Sequence, residues 1–206
     1  MTNAVEQRAL AAADVTAFAA DYFDHLKSVL DGIDRHAVAR FADELERARQ
    51  DGCTIFLAGN GGSATTASSM ANDLGFDVVR KAGIERPFRM LALTDSIPAI
   101  TAIANDVGYE HVFVNQLRLH YRSGDRLVVI SASGNSPNVV AAAKYVKERG
   151  GTVIGLLGFS GGALLGMCDV AVHVPSQAGE YGPVEDTHLI INHVLAHWFQ
   201  VRLRNR

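Results

Sequence analysis

The sequence lacks an apolar run of transmembrane length, and residues 1–12 lack the basic-then-apolar order of a secretory signal. Together these set aside a spanning helix and an exported precursor, and point to the cytoplasm. Neither sign of charge dominates. Nineteen Lys and Arg against 22 Asp and Glu leave a net −3, which gives no reason to expect nucleic acid or an anionic membrane as a partner. Cysteine is scarce: Cys53 and Cys168 stand far apart without metal-ligand spacing, so each is expected to be a free, buried thiol in a reducing compartment. No low-complexity tract or repeat period occurs, which excludes a solenoid. What remains is an ordinary globular composition, 48% hydrophobic and 20% charged, in a 206-residue chain expected to form one domain, residues 1–206.

The periodicity predicts a polar, frayed start over residues 1–12. An amphipathic helix follows from Val15 to Leu30, ended by Gly32, and a second from Asp34 to Gln50, stopped at Gly52. This helical extension, about residues 13–51, has more apolar face than one sheet can cover, so part of it is expected to pack against another subunit. From residue 53 onward, short apolar strands (54–57, 90–93, 127–130, 153–156 and 170–174) alternate with helices. The last helix is expected over 184–204. That alternation predicts a three-layer α/β/α fold, a doubly wound five-stranded parallel sheet (flavodoxin-like, as the family resemblance given below implies), with ligands at the C-terminal strand ends.

Two bends stand out. Leu127–Ile130 runs into Ser131, Ser133, Gly134, Asn135 and Ser136, after which Pro137 opens a helix. A strand, a hydroxyl-rich turn and a helix start gather N–H groups, hydroxyls and the positive helix end at one point, which suits a phosphate. Simple local capping is the alternative. Earlier, Gly59-Asn60-Gly61-Gly62-Ser63-Ala64 follows the first strand, with glycines for close approach and Ser63 as a cap. It matches a loose dinucleotide fingerprint, but no acidic residue ends a second strand about 20 residues on, and the serine bend would then have no role. Two such bends at one sheet edge suit a small phosphorylated metabolite held from two sides.

GNGGSA, AIANDVGY, SASGNSPNVVAAA and VED..H....H, in that order, resemble the sugar-isomerase (SIS) domain and, within it, the phosphoheptose isomerases, over roughly residues 15–204. The resemblance implies an aldose–ketose isomerase converting sedoheptulose 7-phosphate to D-glycero-D-manno-heptose 7-phosphate or handling a related sugar phosphate. It also implies a homotetramer with active sites between subunits. Carried over by position, Asn60, Gly61, Gly62, Ser63, Asn105, Asp106 and Glu185 would contact substrate, and Ser131, Ser133 and Ser136 would bind the phosphate. From spacing alone, Asn105 and Asp106 read rather as a helix-ending turn before Gly108.

Isomerisation through an enediol needs a base near carbon, an acid near the oxygens and donors for the developing oxyanion. Where the family pattern has His and Glu four residues apart, this chain has Ser69 and Asp73. Where the family has Gln and His, it has Glu185 and His193, two turns apart on one helical face. His193 with Asp73 or Glu185 is the expected acid/base pair. Some members bind zinc through these positions; here Asp73, Glu185 and His193 could hold a divalent metal, though one imidazole weakens the case for zinc, and no cofactor is required. Loss of the imidazole at Ser69 keeps a second implication open, a non-catalytic SIS protein such as the replication-initiator adaptors. His188 reads as structural, as does the His193–His197 pair, and Trp198 as a packing residue. Gly179–Pro183 suits a mobile lid from which Glu180 or Tyr181 could reach a sugar hydroxyl.

Overall fold

The computed structural model describes residues 2–204; residues 1, 205 and 206 of the expected domain lie outside the described residues. Three helices precede the sheet: α1 (Ala4–Ala11), α2 (Val15–Asp31) and α3 (Arg35–Asp51). The first of them corrects the expectation of a frayed start. Asn3 and Glu6 form a reciprocal capping box, which satisfies two otherwise unpaired amides without any hydrophobic period to announce it. Although α1 buries no residue, it is tied down by Ala4 N–H donating to Gln177 Oε1 (3.1 Å) and by an Arg8–Asp21 ion pair (2.5 Å). Helices α2 and α3 start on the side chains of Asp14 and Asp34, and the C-caps are Gly32 and Gly52, as their patterns predict.

Strands β1 (Thr54–Ala58), β2 (Arg89–Ala92), β3 (Arg126–Ser131), β4 (Thr152–Leu157) and β5 (Val170–His173) form one parallel sheet in the order β2-β1-β3-β4-β5. The strands read as continuous apolar runs because both faces are covered, yet alternate residues part cleanly. Ile55, Leu57, Val128 and Ile130 join one core with Phe41 and Leu45 of α3 and Leu195 and Phe199 of the last helix. Phe56, Ala58, Leu127 and Val129 join the other, with Phe113 and Leu117 of one helix and Val139 and Val146 of another. The chain reverses its direction of travel across the sheet between β1 and β3, the switch point at which such sheets bind ligands.

Helix α4 (Gly62–Asn72) does not stop near Leu74, as its sequence suggests. It passes through a π-turn, Asp73–Asp77, into α5 (Val78–Ala82), with Val78 N–H donating to the Asp73 carbonyl. The wider turn carries Gly75 through the helix and makes Asp73 its opening residue; such single π-turns often mark functional positions. Helices α6 (Ile97–Asp106), α7 (Val112–His120), α8 (Pro137–Lys147) and the short α9 (Gly162–Leu165) follow. The final helix, α10 (Tyr181–Arg204), begins one turn earlier than predicted, with Pro183 tolerated in its first turn, where no backbone N–H is needed. At 24 residues it runs about 36 Å and packs along α4, the π-turn and α5. Among the described residues no helix is long and apolar enough to cross a membrane.

Candidate functional site

At the switch point the two bends face one another. Gly59 sits where a β-carbon would meet Ser63 and the Ile130 carbonyl, so only glycine lets the ends of β1 and β3 approach this closely. Across the gap, the carboxamides of Asn60 and Asn138 exchange hydrogen bonds of 2.9 Å each way, and Tyr109 Oη donates to Asn60 Oδ1 (2.9 Å). Neither Tyr109 nor Asn138 was anticipated. They tie the Asn60 side chain across the two bends, while Asn60 remains on the cavity wall where substrate contact is expected of it.

Between the bends lies a cavity of about 120 Å³, walled by Ser131, Ser133 and Ser136 on one side, Asn60 and Ser63 on the other, and Tyr181 and Glu185 from α10. Ser131 Oγ accepts from Gly134 N–H (3.0 Å) and Ser133 Oγ from Asn135 N–H (3.3 Å), which leaves each O–H free to donate. Ser136 is the N-cap of α8 but makes no capping bond. Pro137 has no N–H, and the Val139 N–H is taken by Asn138 Oδ1. The hydroxyls, more than the first helix amides, are therefore the groups left free to donate into the cavity. Ser63 likewise does not cap: Gly61 is the N-cap of α4, and Ser63 is buried inside the first turn with its residue facing the cavity.

Glu185 lies directly against Gly62, where any β-carbon would collide with its carboxylate. Desolvation, and then the neighbouring charge of Asp186, raise its pKa above the ordinary carboxylate value. A larger cleft, about 500 Å³, opens at the opposite end of the sheet beside Thr54, Arg89 and Arg122. Its lining includes neither the 59–64 bend nor the 131–136 bend, so size alone misplaces the site.

The second locus lies along α10. His193 Nε2 stands 3.7 Å from Asp73 Oδ2, with the His193 side chain 57% exposed. Asp73 Oδ2 accepts from Asn192 Nδ2 (2.7 Å) and Oδ1 from Asn72 Nδ2 (3.1 Å). Eight residues separate Glu185 from His193, about 12 Å of helix. The expected metal set does not assemble. Among the described residues no three His, Cys, Asp or Glu side chains converge to hold an ion. The reason is local: Glu185 is turned onto Gly62, and the Asp73 oxygens are engaged by two amides.

Other expectations need correction. Asn105 and Asp106 sit exposed at the end of α6, bonded to one another (2.7 Å) and absent from the cavity wall; the helix carries them past the bend, and Tyr109 reaches in instead. The Gly179–Pro183 segment is not a loose lid. Glu180 is 2% exposed, 3.1 Å from His25 Nε2, and accepts from Gln177 N–H (2.9 Å), so it faces α2 and not the cavity. Tyr181 does line the cavity, edge-on to Phe159. Trp198 is 53% exposed, with Arg202 against its ring, and His197 is exposed beside it. His188 is fully buried, as a structural residue would be; burial pushes its pKa down to about 4, slightly opposed by the Leu157 backbone, and neither ring nitrogen makes a well-formed hydrogen bond.

A parallel sheet with a hydroxyl-lined cavity between a glycine bend and a serine bend at its switch point defines an α/β domain suited to a small polar ligand, and sequence comparison gives it a family. Residues 21–158 match the SIS domain family. The chain is 40% identical over 147 residues to a phosphoheptose isomerase of Aneurinibacillus thermoaerophilus, covering 71% of each chain. It is 35% identical over 159 residues to that of Rhodospirillum rubrum, covering 77% of this chain and 82% of the relative. The structure of phosphoheptose isomerase GmhA from Neisseria gonorrhoeae superposes with a TM-score of 0.82 at 30% identity, over 91% of this chain and all of that one. The chain belongs to the phosphoheptose isomerase branch of the SIS domain family.

Proposed function

We propose that the cleft interconverts sedoheptulose 7-phosphate and the corresponding heptose 7-phosphate aldose. Family membership makes the chain an aldose–ketose isomerase, and one observation supports this substrate over a smaller one. The hydroxyl-lined cavity and the Asp73–His193 pair sit at two levels of one helix, about two turns apart, a separation suited to a long sugar chain with phosphate at one end and carbonyl at the other. In this reading Ser63, Ser131, Ser133 and Ser136 donate to the phosphate, and Gly61 and Gly62 let the sugar chain pass close to the backbone.

At the far end, Asp73 removes a proton from C1 of the ketose while His193 delivers one to the C2 oxygen, giving the enediol. Loss of the O1 proton and return of a proton to C2 complete the aldose, so no net proton is gained or lost. Glu185, on the cavity wall with its pKa raised by desolvation and then by Asp186, can accept from a sugar hydroxyl.

Exposure of His193 on a face that also carries Val194, Trp198 and Val201 supports a site closed by a second subunit, within a cytoplasmic homotetramer. The test is direct: sedoheptulose 7-phosphate in heavy water should acquire deuterium at C2 of the aldose, followed by NMR. No incorporation with any seven-, six- or five-carbon ketose phosphate would leave a sugar-phosphate-binding adaptor, the reading that Ser69 favours.

A further inference from the structure

We propose that Asn192 is a positioning residue for the isomerisation, holding the Asp73 carboxylate at the angle from which it meets the substrate carbon beside His193. This rests on the assignment of Asp73 as the base. Asn192 is fully buried on α10, immediately before His193, and its Nδ2 donates to Asp73 Oδ2 at 2.7 Å. The same oxygen lies 3.7 Å from His193 Nε2, outside hydrogen-bond range. Asn72 donates to the other oxygen. Each carboxylate oxygen thus has an amide donor, and the acid and base stand side by side without being bonded to each other.

Two further observations separate this from packing. Asn192 Oδ1 is buried with no hydrogen-bond partner, an arrangement that an apolar side chain of the same size would avoid. The reverse amide orientation would set that oxygen against the carboxylate. Asp73 also opens the π-turn, where the helix is wider and its own ladder constrains the residue less; a contact from the neighbouring helix then decides where the side chain points.

The experiment uses the full chain and sedoheptulose 7-phosphate. Asn192→Leu should lower kcat about tenfold or more with KM held within about twofold. Its melting temperature should be unchanged or raised, because the orphaned carbonyl is gone. In an Asp73→Asn background the same substitution should add no further loss, since both act through one carboxylate. Asn192→Ala, which also removes the donor and adds no bulk, should reproduce the kcat loss and stands in if the leucine variant does not fold. A folded Asn192 variant with kcat within twofold of the parent, or losses that multiply with Asp73→Asn, would overturn the proposal. Failure of both variants to fold would assign Asn192 to the fold and overturn it too. Full activity of Asp73→Asn alone would instead remove the base assignment beneath it.

Discussion

At the scale of single residues, chemistry was legible where it lies in a contiguous motif and obscure where it depends on contact between distant segments. The serines of the 131–136 bend and Ser63 line one cavity, because a strand end and a helix start fix their direction. Tyr109 and Asn138 carry no motif of their own; their role exists only because α6 and α8 bring them to Asn60. Glu185 shows what spacing cannot convey. Its helical position was predictable, but its contact with Gly62 and its resulting desolvation were not. A carboxyl whose folded pKa is raised contributes stability below its unfolded value, and that contribution is lost as pH rises through the folded value. Glu185→Gln should therefore melt slightly higher than the parent at pH 7, by no more than about 2 °C. The gap should close as pH falls toward 4. Parallel melting curves across that range would show that the glutamate is not strained by its surroundings.

Among the elements, α10 carries the most function and shows the limit of reading periodicity. Its apolar stripe was evident, and so was the pairing of 185 with 193. The early start at Tyr181 was hidden by Gly182 and Pro183, which usually argue against helix but are harmless in a first turn. The π-turn was equally invisible, because one extra residue shifts the hydrophobic phase and mimics a helix end at Gly75. His188, at the centre of α10, gives the helix an acid sensitivity. With its folded pKa near 4, below the ordinary histidine value, it imposes no penalty above about pH 6.5. Stability is lost as pH falls from there toward 4, by up to about 3 kcal/mol for this group alone. Chemical denaturation at pH 7 and pH 5 should show a difference that shrinks in His188→Gln; an unchanged difference would place the acid sensitivity elsewhere.

For the whole molecule, the fold class followed from the alternation of buried strands with helices, and the strand order agrees with the flavodoxin-like sheet that the family resemblance implies. What the chain does with its surplus apolar surface is an assembly question. Phe23 of α2, Phe76 of the π-turn, and Val194, Trp198 and Val201 of α10 are all exposed. On the proposal that the chain is a homotetramer with α10 as a subunit contact, Trp198→Asp should shift the mass measured by light scattering toward smaller species, and activity should fall with it. A tetramer that persists would exclude this face as the contact.

The short leading helix has a consequence for the cavity. Asn3 lies against Gly179, Ala4 is bonded to Gln177, and one helix later His25 grips Glu180 just ahead of the residues that wall the cavity. Any change that pulls residues 3 and 4 off residues 177 and 179 would therefore be felt next to Tyr181 on the cavity wall.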